Sequence, residues 1–426
     1  MQIQHLLEIQ KIITGGKGLA RLKNSMVAMV PYVLPGELVE VEETKRHRGY
    51  IEARAQRILH PAPDRRPPPC ELFGRCGGCQ LQHAVYGAQL AAKEGIVREM
   101  LTRAGLVPTK GLSPILASPE TMHYRYKLRL HCGRNGEIGF HRTRSNTLVP
   151  VSSCLLATGP LNDALARLAA MELGDCFREL ELICSPADQG VAAVLSAEKS
   201  RRQVVEKQLA RIREQGGLAG LALRRGRQIE PVGDWFRLRQ EFFGGGKKYT
   251  LVWDCRSFFQ VNPAQNEQLV RLVLDLAGTV EDCRVLDLYC GMGNFSIPLA
   301  LAGAEVHGVE LNPHAIRAAG VNAERAGIAG RVLFTAMAVE KFVRTTLKTR
   351  PGLVLVDPPR QGLGRAAGRI AELGAERIVY ISCDPATLIR DLQKMCAQGY
   401  SLVRLQPVDM FPQTSHIESV AVLEKN

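Results

Sequence analysis

Residues 1 to about 60 alternate apolar and polar positions, with glycine as punctuation. The alternation predicts short strands from Ile9 to Ile13, Met26 to Val30 and Glu37 to Val41, with turns at Gly15-Gly16-Lys17-Gly18 and Pro35-Gly36. Strands at that spacing build a small β-barrel. Pro61 to Pro69 reads as a linker because proline recurs through it. From Ala84 to Ala104 the period lengthens, and Leu90, Ile96, Val97, Met100 and Leu101 fall on one face of a predicted helix. Residues from about 110 to 250 mix the two periods and predict an α+β unit. Past about 255 strands and helices alternate: Arg284 to Leu288, Glu305 to Glu310, Gly352 to Asp357 and Arg377 to Ile381 read as strands. That βαβ order predicts an α/β, doubly wound parallel sheet. The expected division is 1–60, 61–254 and 255–426.

The chain of 426 residues is 46% hydrophobic and 23% charged, ordinary for a globular protein with a real core. No apolar run approaches the length of a membrane span, and Met1-Gln2-Ile3-Gln4-His5 lacks the features of a signal peptide. A cytoplasmic protein is therefore expected, acting as a monomer and without a membrane. Its formal net charge of +13 favours a polyanionic partner. The stretch from His123 to His131 alternates basic groups with Tyr124 and Tyr126, and Arg134, Phe140, Arg142 and Arg144 follow. If it is one strand, its cations share a face that suits RNA phosphates and its rings suit unstacked bases. A solvated sheet face is the competing reading. Lys45-Arg46-His47-Arg48-Gly49-Tyr50 adds a basic loop with an aromatic.

The first chemistry-bearing motif is Asp287-Leu288-Tyr289-Cys290-Gly291-Met292-Gly293-Asn294-Phe295, which follows a strand and opens a helix. Its glycines allow a tight turn and close approach of a ligand. Glu310 ends the next strand, where an acid accepts hydrogen bonds from ribose hydroxyls. Ser296 stands where a dinucleotide fingerprint has its third glycine, so a ligand with a ribose and no pyrophosphate fits better. S-adenosylmethionine is such a ligand, and its positive sulfur wants acids and carbonyls nearby. Asp357-Pro358-Pro359-Arg360 ends a further strand in a rigid turn suited to shaping a pocket beside it.

Ser382-Cys383-Asp384-Pro385-Ala386-Thr387-Leu388 puts a cysteine between an apolar strand and a helix. Ligands of open α/β sheets bind at that strand edge, so Cys383 is a candidate nucleophile. A small buried hydrophobe is the alternative. The chain has 12 cysteines, and in a reducing compartment such a number points to metal or catalytic roles for some. Cys70, Cys76 and Cys79 form a dense group with Gly74, Gly77 and Gly78 between them. With a distant fourth cysteine they suit either a [4Fe–4S] cluster or zinc. Cys132, Cys176, Cys184, Cys255, Cys283, Cys290 and Cys396 are expected in the core, Cys290 beside the cofactor loop.

Taken together, Ser257-Phe258-Phe259-Gln260-Val261-Asn262, the Leu288 to Phe295 loop, Asp357-Pro358-Pro359-Arg360, Ser382 to Leu388 and His416-Ile417-Glu418 resemble the RNA 5-methyluridine (uracil-C5) methyltransferase family. They occur in that family's order. The resemblance implies a Rossmann-like S-adenosylmethionine-dependent methyltransferase domain after a TRAM-like RNA-binding barrel and a central domain. It implies that Gln260, Tyr289, Glu310 and Asp357 bind S-adenosylmethionine, with Asn294 bordering that site. Cys383 would be the nucleophile at uracil C6 and Glu418 the base at C5. Cys70, Cys76, Cys79 and the later Cys154 match the family's iron–sulfur cysteines, which favours the [4Fe–4S] cluster over zinc. Carrying both the barrel and the cysteine group resembles the 23S rRNA branch more than the tRNA branch, with tRNA as runner-up. A non-catalytic RNA-binding iron–sulfur protein is the alternative from another class. Asp384 stands where the family usually has asparagine, and an acid there raises the thiol pKa unless it points away. Near Met337-Ala338 this chain offers no polar adenine contact, and none is assigned.

Overall fold

The computed structural model describes residues 4–197, 202–345 and 350–426. Met1, Gln2 and Ile3, at the start of the expected barrel, lie outside the described residues. Six strands between Gln4 and His60 form one strongly curled sheet around Leu7, Ile9, Val30, Val39, Val41 and Ile51. The strand expected from Ile9 to Ile13 covers only Lys11–Ile13, because Ile9 turns into the barrel core after a separate strand, Gln4–Glu8. The other two run Val27–Pro31 and Leu38–Arg46.

A second sheet of seven strands spans Lys127–Cys132 to Gln228–Pro231, with helices Gly159–Ala170 and Arg202–Gln215. The basic strand expected from His123 is shorter than the pattern implies and is not an open row of cations. His123 has a left-handed backbone (φ 55°), Tyr124 is buried and Arg125 is half-buried. Lys127 pairs with Glu181 at 3.0 Å and Arg129 with Glu179 at 2.8 Å across the sheet. The neighbouring strand, Phe177–Cys184, supplies those carboxylates, which local alternation cannot reveal.

The C-terminal sheet also has seven strands, in the order Val332–Ala336, Glu305–Glu310, Arg284–Leu288, Leu353–Val356, Arg377–Ser382, Glu418–Lys425, Tyr400–Val408. The first five are parallel, and Glu418–Lys425 is inserted antiparallel beside Arg377–Ser382. Strand order reverses between Arg284–Leu288 and Leu353–Val356, so the ligand crevice lies beyond their C-terminal ends. Both faces are covered by apolar cores. The hairpin Leu238–Gly244 and Lys247–Trp253 turns on Gly245 (φ 58°) and Gly246 (φ 76°), the left-handed pair a two-residue hairpin turn requires. Its Phe242, Leu251 and Trp253 join the core of this sheet.

The predicted helix runs Tyr86–Ala104 and ends on Gly105 in a left-handed cap (φ 68°). Ile96, Val97 and Leu101 are buried as its period implies, and so are Gln89 and Lys93, which no apolar period marks. The helix packs on Pro385–Cys396 and on Tyr400–Val408, while Leu112 and Leu116 bridge to Leu405 and Val408. Cys176, Cys184 and Cys290 are buried; Cys132, Cys255, Cys283 and Cys396 are only partly so. Among the described residues no helix is long and apolar enough to cross a membrane.

Lys93 Nζ lies 2.5 Å from Asp409 Oδ1, and both side chains are almost fully buried. Burial pushes the Lys93 ammonium pKa down, and Asp409 opposes the shift. Removing one partner leaves an uncompensated buried charge. Lys93→Met is expected to cost about 3–5 kcal/mol in urea unfolding. Lys93→Met with Asp409→Asn, which removes both charges and keeps an oxygen for Tyr86, is expected to recover most of that loss.

Candidate active site and cysteine cavity

Parallel strands deliver their last residues to one edge. Asp287 and Tyr289 lie at and just beyond the end of Arg284–Leu288, Glu310 ends Glu305–Glu310, Asp357 follows Leu353–Val356, and Cys383 follows Arg377–Ser382. Glu418 reaches this edge by the opposite route. It begins an antiparallel strand whose Ser419 pairs with Ser382, so its first residue stands beside the last residues of its neighbour. The sheet thus brings together Cys383, Glu418, Asp357, Tyr289 and Glu310, the central members of the expected site.

The loop between Leu288 and Ser296 is shaped by its backbone. Tyr289 itself has φ 63°, costly for a ring-bearing residue, and Gly291 (φ 56°) and Gly293 (φ 91°) continue the turn. A Cβ on Gly293 would meet Ile297 at 3.0 Å. Tyr289 donates from its hydroxyl to Glu340 Oε1 at 3.1 Å. Asn294 exchanges two hydrogen bonds with Asn266, at 2.9 and 3.1 Å, and so braces the loop at the border of the crevice. Glu310 Oε1 accepts from the Asn312 amide at 2.7 Å. Gln260 is buried in the stretch entering helix Pro263–Ala277.

The edge is dry and acidic. Burial, with Glu310 nearby, raises the Asp287 carboxyl pKa to about 7, against the pull of a 2.5 Å hydrogen bond from Ser296. The other Asp287 oxygen is buried with no hydrogen-bond partner among the described residues. Asp357 is crowded by protein atoms yet keeps part of its surface open to the crevice; burial and then Asp287 raise its pKa to about 7. Glu418 is raised well above a normal carboxyl, by burial first and then by Asp357. Cys383 is half-buried, and its thiol is pushed up to about 12 by burial, then Glu418, then Asp357. Asp287, one residue before the end of Arg284–Leu288, joins the site as a further acid that the sequence marks only within the loop motif.

Asp384 does not act on the thiol as its position in the chain suggests. It caps helix Pro385–Cys396, accepting from the amides of Ala386 at 3.0 Å and Thr387 at 3.2 Å. Its other oxygen faces Arg360 at 3.4 Å. The charges that raise the thiol come from distant segments instead.

Such a site fits a cationic ligand with a ribose. Glu310 offers a carboxylate for hydroxyls, buried Asp287 and half-buried Asp357 offer negative charge, and none of the expected ligand-binding side chains is a cation.

A second site lies between residues 70–79 and Cys154. Cys70, Cys76, Cys79 and Cys154 all line one cavity of about 340 Å³, with Arg125, Phe140 and Val261. Among the described residues no three potential ligands are gathered as for a single metal ion. Burial raises the Cys76 and Cys154 thiols and takes Cys79 to about 12, while Arg125 pulls all three down. Arg125 Nε is buried without a hydrogen-bond partner among the described residues. Four soft donors beside a partly buried guanidinium with one unpartnered nitrogen suit an anionic metal–thiolate cluster.

Comparison with known proteins bears on both sites. The sequence profile described as tRNA (Uracil-5-)-methyltransferase matches residues 226–426. A 23S rRNA (uracil(1939)-C(5))-methyltransferase, RlmD, of Pseudomonas aeruginosa is 36% identical over 98% of this chain and 93% of its own length. Its namesake in Haemophilus influenzae is 35% identical over 96% of this chain and 93% of its own length. The crystal structure of a Pyrococcus abyssi tRNA (uracil-54, C5)-methyltransferase in complex with S-adenosyl-L-homocysteine superposes with a TM-score of 0.73. It is 25% identical and covers 99% of this chain and 100% of its own.

With the crevice empty of cations, Cys383 is expected to be a slow nucleophile at neutral pH. Peptide-resolved alkylation of Cys383 should accelerate with rising pH, tracking the thiolate. Glu418→Gln removes a carboxylate that opposes thiolate formation once Glu418 is ionised, so alkylation of this variant should outpace the native protein's by up to about 10-fold at alkaline pH.

Proposed function

Because the chain belongs to the RNA uracil-C5 methyltransferase family, we propose that it methylates carbon 5 of a uracil in 23S rRNA through a covalent bond from Cys383. Two layers support this. The family makes the chain an RNA uracil-C5 methyltransferase that uses S-adenosylmethionine. The choice of 23S rRNA rests on relatives of that name that match nearly the whole chain. The observation that carries the chemistry is the antiparallel insertion that sets Glu418 beside Cys383 at the ligand edge.

In this reading the target uracil is unstacked into the crevice. Cys383 bonds to C6 through Sγ as its thiolate, and the electrons of the C5–C6 double bond move onto C5 and the adjacent carbonyl. Bound S-adenosylmethionine would supply the methyl group, which C5 takes as its bond to the sulfonium sulfur breaks, leaving S-adenosylhomocysteine. Gln260, Tyr289, Glu310 and Asp357 would hold it, with Asn294 bordering them. Glu418 takes the C5 proton, the C5–C6 double bond re-forms, and Sγ leaves C6 as thiolate. Burial helps Glu418 here, because a carboxylate with a raised pKa is a stronger base.

Cys70, Cys76, Cys79 and Cys154 would hold a [4Fe–4S] cluster, with Arg125 as its counter-charge. The cluster would cross-link residues 70–79 to Cys154, and the methyl transfer needs no electron from it. We assign residues 1–60 as a TRAM-like RNA-binding barrel, 61–254 as the central unit and 255–426 as the catalytic domain of a cytoplasmic monomer.

RNA from cells lacking this gene is expected to lose 5-methyluridine at one site in 23S rRNA and to keep it in tRNA. Loss from tRNA alone would move the substrate to that RNA. The native protein is expected to form a gel-stable adduct with 5-fluorouridine RNA, because C5 then carries no proton to remove, and Cys383→Ala to form none. Cys154→Ser is expected to lose iron and visible absorbance; full iron retention would sink the cluster assignment.

A further inference from the structure

The loop Asp409 to Ile417 ends on Glu418, and the amino-terminal half of the chain holds it. Within that loop Gln413 is fully buried with a left-handed backbone (φ 68°), a conformation a glutamine keeps only when its surroundings impose it. Its side chain is committed at both ends. Oε1 accepts from Gln89 at 2.9 Å and from Arg66 at 3.1 Å, and Nε2 donates to the Thr121 carbonyl at 3.3 Å. The Gln413 amide donates to Gln89 Oε1 at 2.9 Å, closing a reciprocal pair. Its carbonyl accepts from the amides of Gln80 at 3.1 Å and Leu81 at 3.0 Å. Gln80 directly follows Cys79, and its Oε1 also accepts from the Ser415 amide at 3.1 Å.

We infer that Gln413 is a positioning residue for Glu418, fixing the loop that delivers the base to the segment that carries the cysteine cavity. The inference rests on the reading of Glu418 as the C5 base. Neighbouring bonds act in the same direction. The Tyr124 hydroxyl donates to the Pro412 carbonyl at 2.9 Å, and Lys93 donates to the Phe411 carbonyl at 3.0 Å. Tyr124 immediately precedes Arg125, which lines the cavity. Gln80 and Tyr124 thus reach the loop from the two chain segments that flank the thiols. Cys383 stands on a different element, after Arg377–Ser382, and none of these bonds touches it. Loosening Gln413 therefore displaces the base and leaves the nucleophile in place. Addition to C6 survives, and proton removal slows.

Gln413→Gly keeps the left-handed backbone and deletes the amide; Gln80→Ala deletes the acceptor of Ser415 from the other side. Both are expected to lower kcat on uridine RNA, about 10–100-fold for Gln413→Gly, with KM for RNA changed less than about threefold. Both should accumulate covalent adduct on ordinary uridine RNA, which the native protein turns over. Both should form the 5-fluorouridine adduct at the native rate. Amide exchange across Asp409 to Ile417 should speed in each. Native turnover in both variants overturns the inference. So does parallel loss of both kinds of adduct in soluble, folded protein, because that is what a purely structural role produces. If Gln413→Gly does not fold, Gln80→Ala decides on the same criteria. Failure of the underlying reading looks different: Glu418→Gln would then accumulate no adduct on uridine RNA, whatever Gln413 does.

Discussion

Negative charge crowded into a dry sheet edge governs this molecule. Asp287 and Glu418 are buried with Asp357 half-buried beside them, and each raises the pKa of a neighbour. In a low dielectric such acids hold protons or recruit a cation. The methyl donor of this family carries one on its sulfur. On the proposed reading, its arrival would relieve repulsion among the acids and favour the thiolate form of Cys383.

The topology that creates this edge is economical in its use of the chain. Parallel strands bring the acids and Cys383 to the edge from their C-terminal ends. A glutamate arriving from the same direction would need another crossover. Inserting Glu418–Lys425 antiparallel lets the last strand start where its neighbour stops. The cost is a long return loop, Asp409 to Ile417, which needs its own support. The helix Tyr86–Ala104 and the cysteine segment provide it through the Lys93–Asp409 pair and the bonds to Gln413. The amino-terminal half thus holds the loop that leads to Glu418.

Asp384 illustrates how chain proximity misleads. Next to Cys383 in sequence, it turns to cap the following helix and faces Arg360, whereas Glu418 and Asp357, far along the chain, add to burial in raising the thiol. The basic run after His123 carries the same lesson. Lys127 and Arg129 meet carboxylates from a strand more than forty residues on, and Arg125 turns inward to the thiols.

Much of the fold was legible in local pattern. Alternation marked the barrel strands, a longer period marked the helix ending near Ala104, and alternating strands and helices marked the parallel sheet, because side-chain periodicity follows directly from backbone geometry. The motif residues Tyr289, Glu310, Asp357 and Cys383 were legible too, since each follows or ends a strand whose edge is known once the sheet is parallel. Other features belong to tertiary structure alone. Lys93 and Gln89 look like surface positions of an amphipathic helix until Asp409 and Gln413 cover them. The pairing of cations with Glu179 and Glu181 and the charge felt by Cys383 join residues distant in the chain. Sequence determines what each segment can form; burial and charge depend on which other segment closes over it, and only the folded chain decides that.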